Sequence, residues 1–302
     1  LVSSYSGDDS GNYSITDQSS TTANITAKTL TVSGITAANK TYNGNTTATV
    51  DVSSAVYTGL VDGDDLTVSA TGTFNNKNVG TGKTVTLSSS YSGDDTGNYS
   101  ITDQTSTTAD ITVKTLTASA SASNKTYDGD NTSTVTLTLT GVVDGDTVTS
   151  SNSSTFSDKN VGSGKTVTVN TVTLAGDDSD NYTIATGQTT TANISAKALS
   201  LSGLTADDKE YDGGTVATIS SYGSLSGVIT GDTVTLNTDS ADPDFNNKNV
   251  GSGKTVTVQS LALGGDDAGN YSIANQTTTA DITVKTLTAT ASASDKVYNG
   301  NT

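Results

Sequence analysis

The chain of 302 residues contains no cysteine, methionine, tryptophan or histidine, and it has a single proline. Without cysteine no disulfide can form, and without thiols and imidazoles the chain lacks the groups on which redox, zinc and most acid–base chemistry depend. One proline also leaves no stiff proline-rich spacer between folded parts. We therefore expect the protein not to be an enzyme.

Basic residues are also scarce. The chain has 14 basic residues, all lysine, against 31 acidic residues, which gives a net charge of -17. Such a charge repels phosphate backbones and anionic lipid surfaces, so we expect no nucleic-acid binding and no membrane contact in this segment. No apolar run reaches the 18 residues of a membrane span. Together with the repeats described below, this acidity favours an extracellular location.

What the chain does have is a strand-forming composition. Serine, threonine, asparagine, aspartate and glycine dominate, and threonine alternates with aliphatic residues in runs such as Thr84-Val85-Thr86-Leu87 and Thr255-Val256-Thr257-Val258. Pairs of Asp-Gly and Asn-Gly bound these runs and favour tight turns. Only 31% of the residues are hydrophobic, which is too few for one large core. The pattern predicts an all-β chain of tandem small antiparallel β-sandwich domains, which are immunoglobulin-like and arranged as beads in a rod.

Three motifs recur in one order about every 85 residues. The motif K-x-Y-[DN]-G begins at Lys40, Lys125, Lys209 and Lys296; K-N-V-G-x-G-K begins at Lys77, Lys159 and Lys248; and G-D-D-x-x-N-Y begins at Gly7, Gly93, Gly176 and Gly265. A phenylalanine precedes each K-N-V-G-x-G-K, and a T-A-[ND]-I-[TS] segment follows each G-D-D-x-x-N-Y. Tandem repetition of this kind indicates copies of one structural unit.

The motifs divide the chain into three complete repeats at residues 28–113, 114–196 and 197–284. Residues 1–27 match the C-terminal part of a repeat and residues 285–302 the N-terminal part of a further one, so we expect the natural protein to be longer. Each repeat is expected to close its own small core. A β-solenoid is the structural alternative, but it would impose a shorter period of roughly 20 to 30 residues, which is absent.

The repeats open with two kinds of segment that alternate. Lys28 and Lys197 begin KTLTVSGITAANK and KALSLSGLTADDK, whereas Lys114 and Lys285 begin KTLTASASASNK and KTLTATASASDK. Because the alternation lies where one repeat meets the next, we expect successive junctions to differ in geometry or packing.

The residues shared by all copies are predicted to be structural. The Asp-Gly or Asn-Gly pair of K-x-Y-[DN]-G forms a turn, and its tyrosine supplies ring area to a core with few aromatics. Stacking of these tyrosines on carbohydrate is the alternative. The structural marks of the repeats are Tyr42, Gly44, Tyr127, Gly129, Tyr211, Gly213, Phe74, Phe156, Phe245, Tyr99, Tyr182 and Tyr271.

The G-D-D-x-x-N-Y segments offer oxygen ligands that calcium would accept. The candidate ligands are Asp94, Asp95, Asn98, Asp177, Asp178, Asn181, Asp266, Asp267 and Asn270. The spacing matches no established calcium loop, and turns in which these side chains accept backbone N–H groups are favoured. The same holds for the segments Asp62-Gly63-Asp64-Asp65 and Asp144-Gly145-Asp146. We expect no cofactor, and calcium is the alternative.

The K-N-V-G-x-G-K motif has the lysine and glycines of a phosphate-binding loop, but only one residue separates its glycines. It also runs into a strand and not into a helix N-terminus that would bind an anion. We interpret it as a glycine-rich hairpin turn. The adjacent aspartates lack the pocket that a catalytic pair requires.

Together, Tyr-Asp-Gly at residues 127–129 and 211–213, a phenylalanine before K-N-V-G-x-G-K, and D-x-x-N-Y before the T-A-[ND]-I-[TS] strand resemble the YDG-repeat domains of bacterial haemagglutinin-like surface adhesins. The likeness covers almost the whole chain; MBG repeats are similar more distantly. Asn43 and Asn299 replace the aspartate of the motif in two copies. The resemblance implies a bacterial exoprotein whose repeats form an extended stalk or fibre, and it carries over no catalytic or ligand-binding residue.

From these observations we expect a structural stalk or filament segment of a large secreted or cell-surface adhesin. The alternative is a repeated weak binding module for glycans or neighbouring chains in matrix or fibre assembly. The expected partners are the neighbouring repeats of the same chain, other copies in a fibre, and surface glycans.

Overall fold

The computed structural model describes residues 1–301, and β-strands make up nearly all of its regular structure. The other regular elements in this range are four single-turn 3-10 helices: η1 (Ser10–Asn12), η2 (Thr96–Asn98), η3 (Ser179–Asn181) and η4 (Ala268–Asn270). The prediction of an all-β fold of tandem domains is therefore confirmed. Within residues 1–301, no helix has the length and apolar character needed to cross a bilayer.

The strands follow the repeats. The first repeat contains β1 (Lys28–Ser33), β2 (Thr36–Ala37), β3 (Lys40–Thr41), β4 (Thr47–Ala48), β5 (Val50–Asp51), β6 (Val56–Thr58), β7 (Thr67–Phe74), β8 (Gly80–Ser92), β9 (Tyr99–Thr102) and β10 (Ser106–Thr112). The second contains β11 (Lys114–Ala122), β12 (Lys125–Thr126), β13 (Val135–Thr140), β14 (Thr149–Phe156), β15 (Gly162–Ala175), β16 (Tyr182–Ile184) and β17 (Thr189–Ser195). The third contains β18 (Lys197–Ser202), β19 (Thr205–Ala206), β20 (Lys209–Glu210), β21 (Ile219–Ser221), β22 (Ser224–Ser226), β23 (Thr235–Asn237), β24 (Asp242–Phe245), β25 (Gly251–Gln259), β26 (Ala262–Gly264), β27 (Tyr271–Ile273) and β28 (Gln276–Thr283).

Two main sheets recur. In the first repeat they have the orders β6-β1-β9 and β3-β10-β8-β7-β4, and in the third β22-β18-β27 and β20-β28-β25-β24. The sheets are mixed, because the opening strand of each repeat runs parallel to a strand near its end, as in the register Lys28↔Tyr99. Parallel neighbours require a long crossover, and the chain between β1 and β9 provides it. The K-N-V-G-x-G-K segment lies in the β7–β8 hairpin, as the sequence predicts, but it is not a glycine-rich turn: the turn is formed by residues 75–79, and Gly80 and Gly82 belong to β8.

The alternation of the opening segments changes this first strand. In the first and third repeats, a glycine with positive φ (Gly34, +80°; Gly203, +83°) ends β1 or β18 and starts a separate short strand. A side chain at Gly34 would also place its Cβ 2.4 Å from the carbonyl oxygen of Ser54. The second repeat has no glycine there, and β11 continues unbroken from Lys114 to Ala122. The alternation is therefore between an interrupted and a continuous opening strand.

By its contacts the chain forms two compact units. The first comprises residues 1–116, 141–149 and 174–184, so it joins the first repeat to one end of the second. The other comprises residues 117–140, 150–173 and 185–302, and it joins the remainder of the second repeat to the third. Each unit thus contains one junction between consecutive repeats, and the repeat boundaries predicted from the sequence lie inside the units.

The core of the second unit also crosses a repeat boundary. Tyr127, Val135, Phe156, Val167 and Ile194 of the second repeat form a buried cluster that includes Leu199 and Tyr271 of the third repeat. Burying one such side chain contributes roughly 1.5–3 kcal/mol, so the shared residues matter for the stability of both repeats. The expectation of an independent core in each repeat is wrong at this junction, because residues of the next repeat complete the apolar cluster.

Candidate functional site

The loop of K-x-Y-[DN]-G is held by its own lysine. Lys125 Nζ donates hydrogen bonds to the carbonyl oxygens of Asp130 and Thr132, at 3.0 Å each, and lies 2.6 Å from Asp128 Oδ1. The same ammonium group stands over the ring of Phe156, 5.8 Å from its centroid. The lysine therefore ties the turn to the strand that carries the phenylalanine.

The other two complete copies show the same clamp. Lys40 Nζ reaches the carbonyl oxygens of Asn45 and Thr47 and stands 5.3 Å from the centroid of the Phe74 ring. Lys209 Nζ reaches those of Gly214 and Val216, with Phe245 at 5.8 Å. The pairing explains why each phenylalanine recurs with the lysine. The hydrogen bonds of the lysine also fix the backbone of the loop that carries the motif tyrosine.

In the first unit, the motif tyrosine is buried against the second repeat. Tyr42 is 1% exposed, and its hydroxyl donates a 2.7 Å hydrogen bond to Oδ2 of Asp146, 104 residues away. The hydroxyl of Tyr182 donates to the same oxygen at 2.6 Å, and the two rings meet edge to face with centroids 5.4 Å apart. Tyr182 in turn accepts a hydrogen bond from the backbone N–H of Val143. The predicted burial of Tyr42 is thus correct, but its partners belong to the next repeat.

A second element of the first repeat makes contact beside this tyrosine. At the tip of the β7–β8 hairpin, Lys77 Nζ lies 2.8 Å from Asp146 Oδ1 and 3.1 Å from Asp178 Oδ1. The backbone N–H of Val79 donates a 2.9 Å hydrogen bond to Oδ1 of Asn181, which is 4% exposed. The K-N-V-G-x-G-K motif therefore lies in a hairpin and also provides a contact surface.

Gly44 lies close to the second repeat. Its φ is +80°, and a Cβ built on it would lie 2.7 Å from Cγ1 of Val143. Both the left-handed backbone and the close neighbour require glycine at this position. A Cβ built on the corresponding Gly129 would lie 3.1 Å from Cγ2 of Ile229. A Cβ built on Gly213 would have no heavy atom within 4 Å.

The second unit repeats the arrangement. The hydroxyls of Tyr127 and Tyr271 donate to Oδ2 of Asp232 at 2.8 and 2.5 Å, and their rings meet edge to face at 5.4 Å. Lys159 Nζ lies 3.4 Å from Asp232 Oδ1. The backbone N–H of Val161 donates to Oδ1 of Asn270 at 2.9 Å. We call this arrangement, with a tyrosine, lysine and valine from one repeat and an aspartate, tyrosine and asparagine from the next, the tyrosine–aspartate junction.

The two junctions share their tyrosine and asparagine contacts but differ at the lysine. Lys77 pairs with Asp146 at 2.8 Å and with Asp178 at 3.1 Å, whereas within residues 1–301 Lys159 pairs with Asp232 alone, at 3.4 Å. The interplanar angles of the tyrosine pairs are 75° and 78°, and the ring centroids are equally far apart. The tyrosine pairs therefore show no difference between the junctions, whereas the lysine contacts do. The alternating segments change the opening strand, while the junction residues come from the three motifs that do not alternate.

The electrostatics of each junction favour a charged aspartate among neutral phenols. Burial acts to raise the pKa of the Asp146 carboxyl, but hydrogen bonds from Lys77, Tyr182 and Tyr42 outweigh it and hold the pKa below its ordinary value. The hydrogen bond from Tyr271 is the largest cause that lowers the pKa of Asp232. Hydrogen bonding to Asp146 raises the pKa of the Lys77 ammonium. Each junction thus holds an ion pair at neutral pH.

The hydroxyls of the junction tyrosines stay protonated at neutral pH. Burial, together with the hydrogen bond to Asp146, raises the pKa of Tyr182 to about 12. Burial and the hydrogen bond to Asp232 likewise raise the pKa of Tyr271 to about 12. A protonated phenol is the form that donates to a carboxylate, so the protonation states and the geometry agree.

The residues that the sequence suggests as calcium ligands have different roles in the structure. The second aspartate of each G-D-D segment accepts a backbone N–H through Oδ2: Asp95 from Asp65, Asp178 from Thr147 and Asp267 from Thr233, at 2.8–3.0 Å. Asn181 and Asn270 accept from the preceding repeat, whereas Asn98 is exposed. Asp94, Asp177 and Asp266 lie in the turns before the 3-10 helices. Within residues 1–301, no three acidic side chains are grouped closely enough to hold a metal ion. These contacts favour the turn role.

The three sequence motifs include most residues of the tyrosine–aspartate junction, but they do not include the aspartate that accepts both tyrosine hydrogen bonds. Asp146 belongs to a segment interpreted as a turn, and Asp232 stands out in no motif. A signal exists nevertheless, because a Gly-Asp pair precedes each G-D-D segment at a similar distance and ends at Asp64, Asp146 and Asp232. The first aspartate of the Asp-Gly-Asp segments is not shared by all three repeats, because Thr230 stands at its position in the third repeat. The partner tyrosine of the second aspartate is more than 100 residues away, so no local pattern reveals the contact.

Comparison with known protein families assigns the repeats. The model of the YDG domain matches three consecutive stretches, at residues 26–109, 112–192 and 195–280. The chain belongs to the YDG domain family. The three matched stretches coincide with the three complete repeats to within a few residues at each end, and every junction residue named above lies inside one of them. The tyrosine–aspartate junction is therefore built from residues of the YDG repeats themselves.

Among solved structures, the chain is similar to domains 4–9 of the surface layer protein SbsC. The similarity has 15% sequence identity and a TM-score of 0.15, and it covers 81% of this YDG chain and 44% of that chain. The chain thus spans less than half the length of the structure it matches. No curated protein sequence matches it.

Proposed function

We propose that this chain is a structural stalk or filament segment of a large secreted or cell-surface protein, in which YDG repeats joined end to end supply length and stiffness. The tyrosine–aspartate junction supports the proposal, because it occurs twice with the same tyrosine and asparagine hydrogen bonds and each time buries a tyrosine of one repeat against the next. In a simple tether, linkers without side-chain contacts would be expected at these places.

The junction resists bending because it has two anchor points on different elements. The loop tyrosine and the hairpin tip both contact the following repeat, in the first unit through Tyr42 and through Lys77 with Val79. Tilting about one anchor breaks the other. A partly buried cluster with satisfied hydrogen bonds has few alternative arrangements of similar energy, so the angle between repeats is set by packing.

Composition supports a location outside the cell. A net charge of -17 keeps an extended chain soluble and away from anionic lipid and nucleic acid, and the lack of cysteine and methionine leaves little for oxidants to modify. Under this proposal the protein is a bacterial surface or secreted protein, and the repeats position whatever lies at its end.

The tyrosines argue against glycan binding at the motif. Tyr42 and Tyr127 are each 1% exposed, so neither ring face is free to stack on a sugar. The proposal therefore assigns these tyrosines to the connection between repeats and not to a ligand.

The proposal is tested by measuring how tightly one repeat is held relative to the next. The chain has no native cysteine, so spin labels can be attached at Thr86→Cys in the first repeat and Ala175→Cys in the second, which are exposed positions of the same compact unit. We expect a narrow distribution of label distances by double electron–electron resonance. Asp146→Ala removes the shared acceptor of the junction and is expected to broaden that distribution severalfold.

Asp144→Ala is the matched control, because Asp144 lies two residues away in the same turn, carries the same charge and is exposed. It should leave the distribution narrow. A broad distribution in the unsubstituted chain, or a narrow one that survives Asp146→Ala, would rule out a stiff connection of this kind.

A further inference from the structure

The first and last segments of each repeat lie side by side and run in the same direction. In the first repeat, residues 28–41 lie along residues 99–112, and we call these two segments the terminal pair. They pass together from one sheet to the other, because β1 pairs with β9 in one sheet and β3 with β10 in the other, both in parallel. Paired residues are 71 positions apart in both ladders, as in Lys28↔Tyr99. All other strands of the repeat lie between the two segments in the sequence.

Side chains join the two segments of the terminal pair between the ladders. Oε1 of Gln104 accepts a hydrogen bond from the backbone N–H of Ile35 at 2.9 Å, and Nε2 of the same side chain donates to the carbonyl oxygen of Ile35 at 2.7 Å. Closer to the second ladder, Oδ1 of Asn39 accepts from the backbone N–H of Asp110 at 2.7 Å. The two segments are therefore bonded at both ends and between them.

The other two repeats have the same terminal pair. In the second repeat β11 pairs with β16 and β12 with β17, and in the third β18 pairs with β27 and β20 with β28, all in parallel. The side-chain bond recurs as well, because the backbone N–H of Asn193 donates to Asn124 and that of Asp281 donates to Asp208. The arrangement is thus independent of the alternation in the opening segments.

The direction of the two segments decides how a stretching force acts on a repeat. Tension in a chain of joined repeats pulls on the first repeat through Lys28 at its start and through Thr112 at its end. Because the segments are parallel, these two points lie at opposite ends of the terminal pair. The two pulls are therefore opposed and directed along the strands. The hydrogen bonds of the pair are loaded together in shear, so they must break together.

An antiparallel pairing of the first and last segments would respond differently. Both points of attachment would then lie at one end, and the bonds would open one after another at a lower force. Parallel pairing is slightly less stable per residue and requires a long crossover, so equilibrium stability alone does not favour it. Forced unfolding, however, is governed by the rate of unfolding and not by equilibrium stability. The topology of the repeat is thus the one that resists stretching.

We infer that each repeat bears tensile load and that its terminal pair is the part that resists stretching. The strands between the two segments, including the long β7–β8 hairpin, carry no tension until the pair separates. This inference goes beyond the proposed function, because the stiffness of the junction concerns bending between repeats and the terminal pair concerns stretching within one. It rests on the proposed function only for the source of the load.

Optical tweezers test the inference by pulling one repeat of the full chain in two directions. Because the chain has no native cysteine, DNA handles can be attached at introduced cysteines. Handles at Thr29→Cys and Val113→Cys pull the first repeat along its terminal pair, whereas handles at Thr29→Cys and Ser100→Cys pull at one end of the pair. All three positions are exposed.

We expect the rupture force to be severalfold higher when the handles pull along the terminal pair. In that direction the repeat should open in a single step of about 240 Å, which is the extended length between the handles less the span of the folded pair. The two variants share one fold, and circular dichroism and thermal melting confirm it, so the comparison reports the direction of the force alone.

Equal rupture forces in the two directions would overturn the inference, and so would opening in several shorter steps along the terminal pair, because inner strands would then yield first. The spin-label distances measure bending at the junction and do not depend on the terminal pair. A weak terminal pair therefore leaves the proposed stiffness of the junction to be judged separately.

Discussion

At the scale of single residues, the hydroxyl of the motif tyrosine connects two repeats through one atom. Tyr42 and Tyr182 donate to the same oxygen of Asp146, and Lys77 neutralises the other oxygen. Hydrogen bonds to a charged group are among the stronger ones in proteins. The hydroxyl of Tyr42 is therefore expected to matter more than a surface tyrosine hydroxyl.

Replacing Tyr42 by phenylalanine tests this expectation. Tyr42→Phe keeps the buried ring and removes only the donor to Asp146, so we expect a loss of about 1.5 kcal/mol in the free energy of unfolding, measured by urea denaturation. Tyr211→Phe is the matched control, because within residues 1–301 the Tyr211 hydroxyl has no carboxylate partner. Equal effects of the two substitutions would contradict the assigned role of the hydroxyl.

The charge of the junction aspartates predicts a pH dependence. The folded-state pKa of Asp146 and of Asp232 lies below the ordinary value, so their contribution to stability is present above about pH 4 and is lost as the pH falls through the lowered pKa. At the other end, the pKa of Tyr182 and of Tyr271 is raised to about 12, so stability should fall between about pH 10 and 12 as these phenols ionise.

Melting temperatures of the wild type and of the double variant Asp146→Asn, Asp232→Asn measure the acid limb of this dependence. We expect the wild type to melt at a clearly higher temperature at pH 7 and the difference to shrink steadily below pH 4. A difference that stays constant from pH 7 to pH 2 would show that the charge of these carboxylates plays no part.

At the scale of elements, the lysine clamp sets the position of the loop that carries the tyrosine. Lys125 binds two carbonyl oxygens and two carboxylates, and its side chain is only 17% exposed. Replacing it by methionine leaves the two carbonyls without their donor, and we expect a cost of about 2 kcal/mol. Amide hydrogen exchange in residues 127–132 should also become faster. Lys28→Met, at an exposed position that begins β1, should change neither quantity.

The elements also show what the sequence can and cannot predict. The hairpin around K-N-V-G-x-G-K and the strand character of the threonine-rich runs follow from local turn chemistry and alternation, and both are confirmed. The parallel pairing of β1 with β9 could not be predicted this way, because its register joins residues 71 positions apart. The role of Asp146 was hidden for the same reason. Its local pattern is that of a turn, and only the fold brings Tyr42 to it.

At the scale of the whole molecule, the repeats are expected to depend on one another for stability, although the sequence predicts a separate core in each repeat. Repeats with separate cores would unfold independently. In the second unit, however, Leu199 and Tyr271 of the third repeat complete the cluster around Tyr127. Stability in such a chain is expected to contain a large term for the interface between nearest neighbours, as in other repeat proteins, so repeats should unfold cooperatively. The gain in length then brings a gain in stability for each repeat inside the array.

The central claim is that the contact between Tyr42 and Asp146 holds consecutive YDG repeats together, and a double-mutant cycle measures it most directly. The free energy of unfolding is determined for the wild type, Tyr42→Phe, Asp146→Ala and the double variant. Because the two side chains are in direct contact, the account predicts a coupling energy of at least about 1 kcal/mol between these two residues of different repeats. A coupling energy near zero would contradict it.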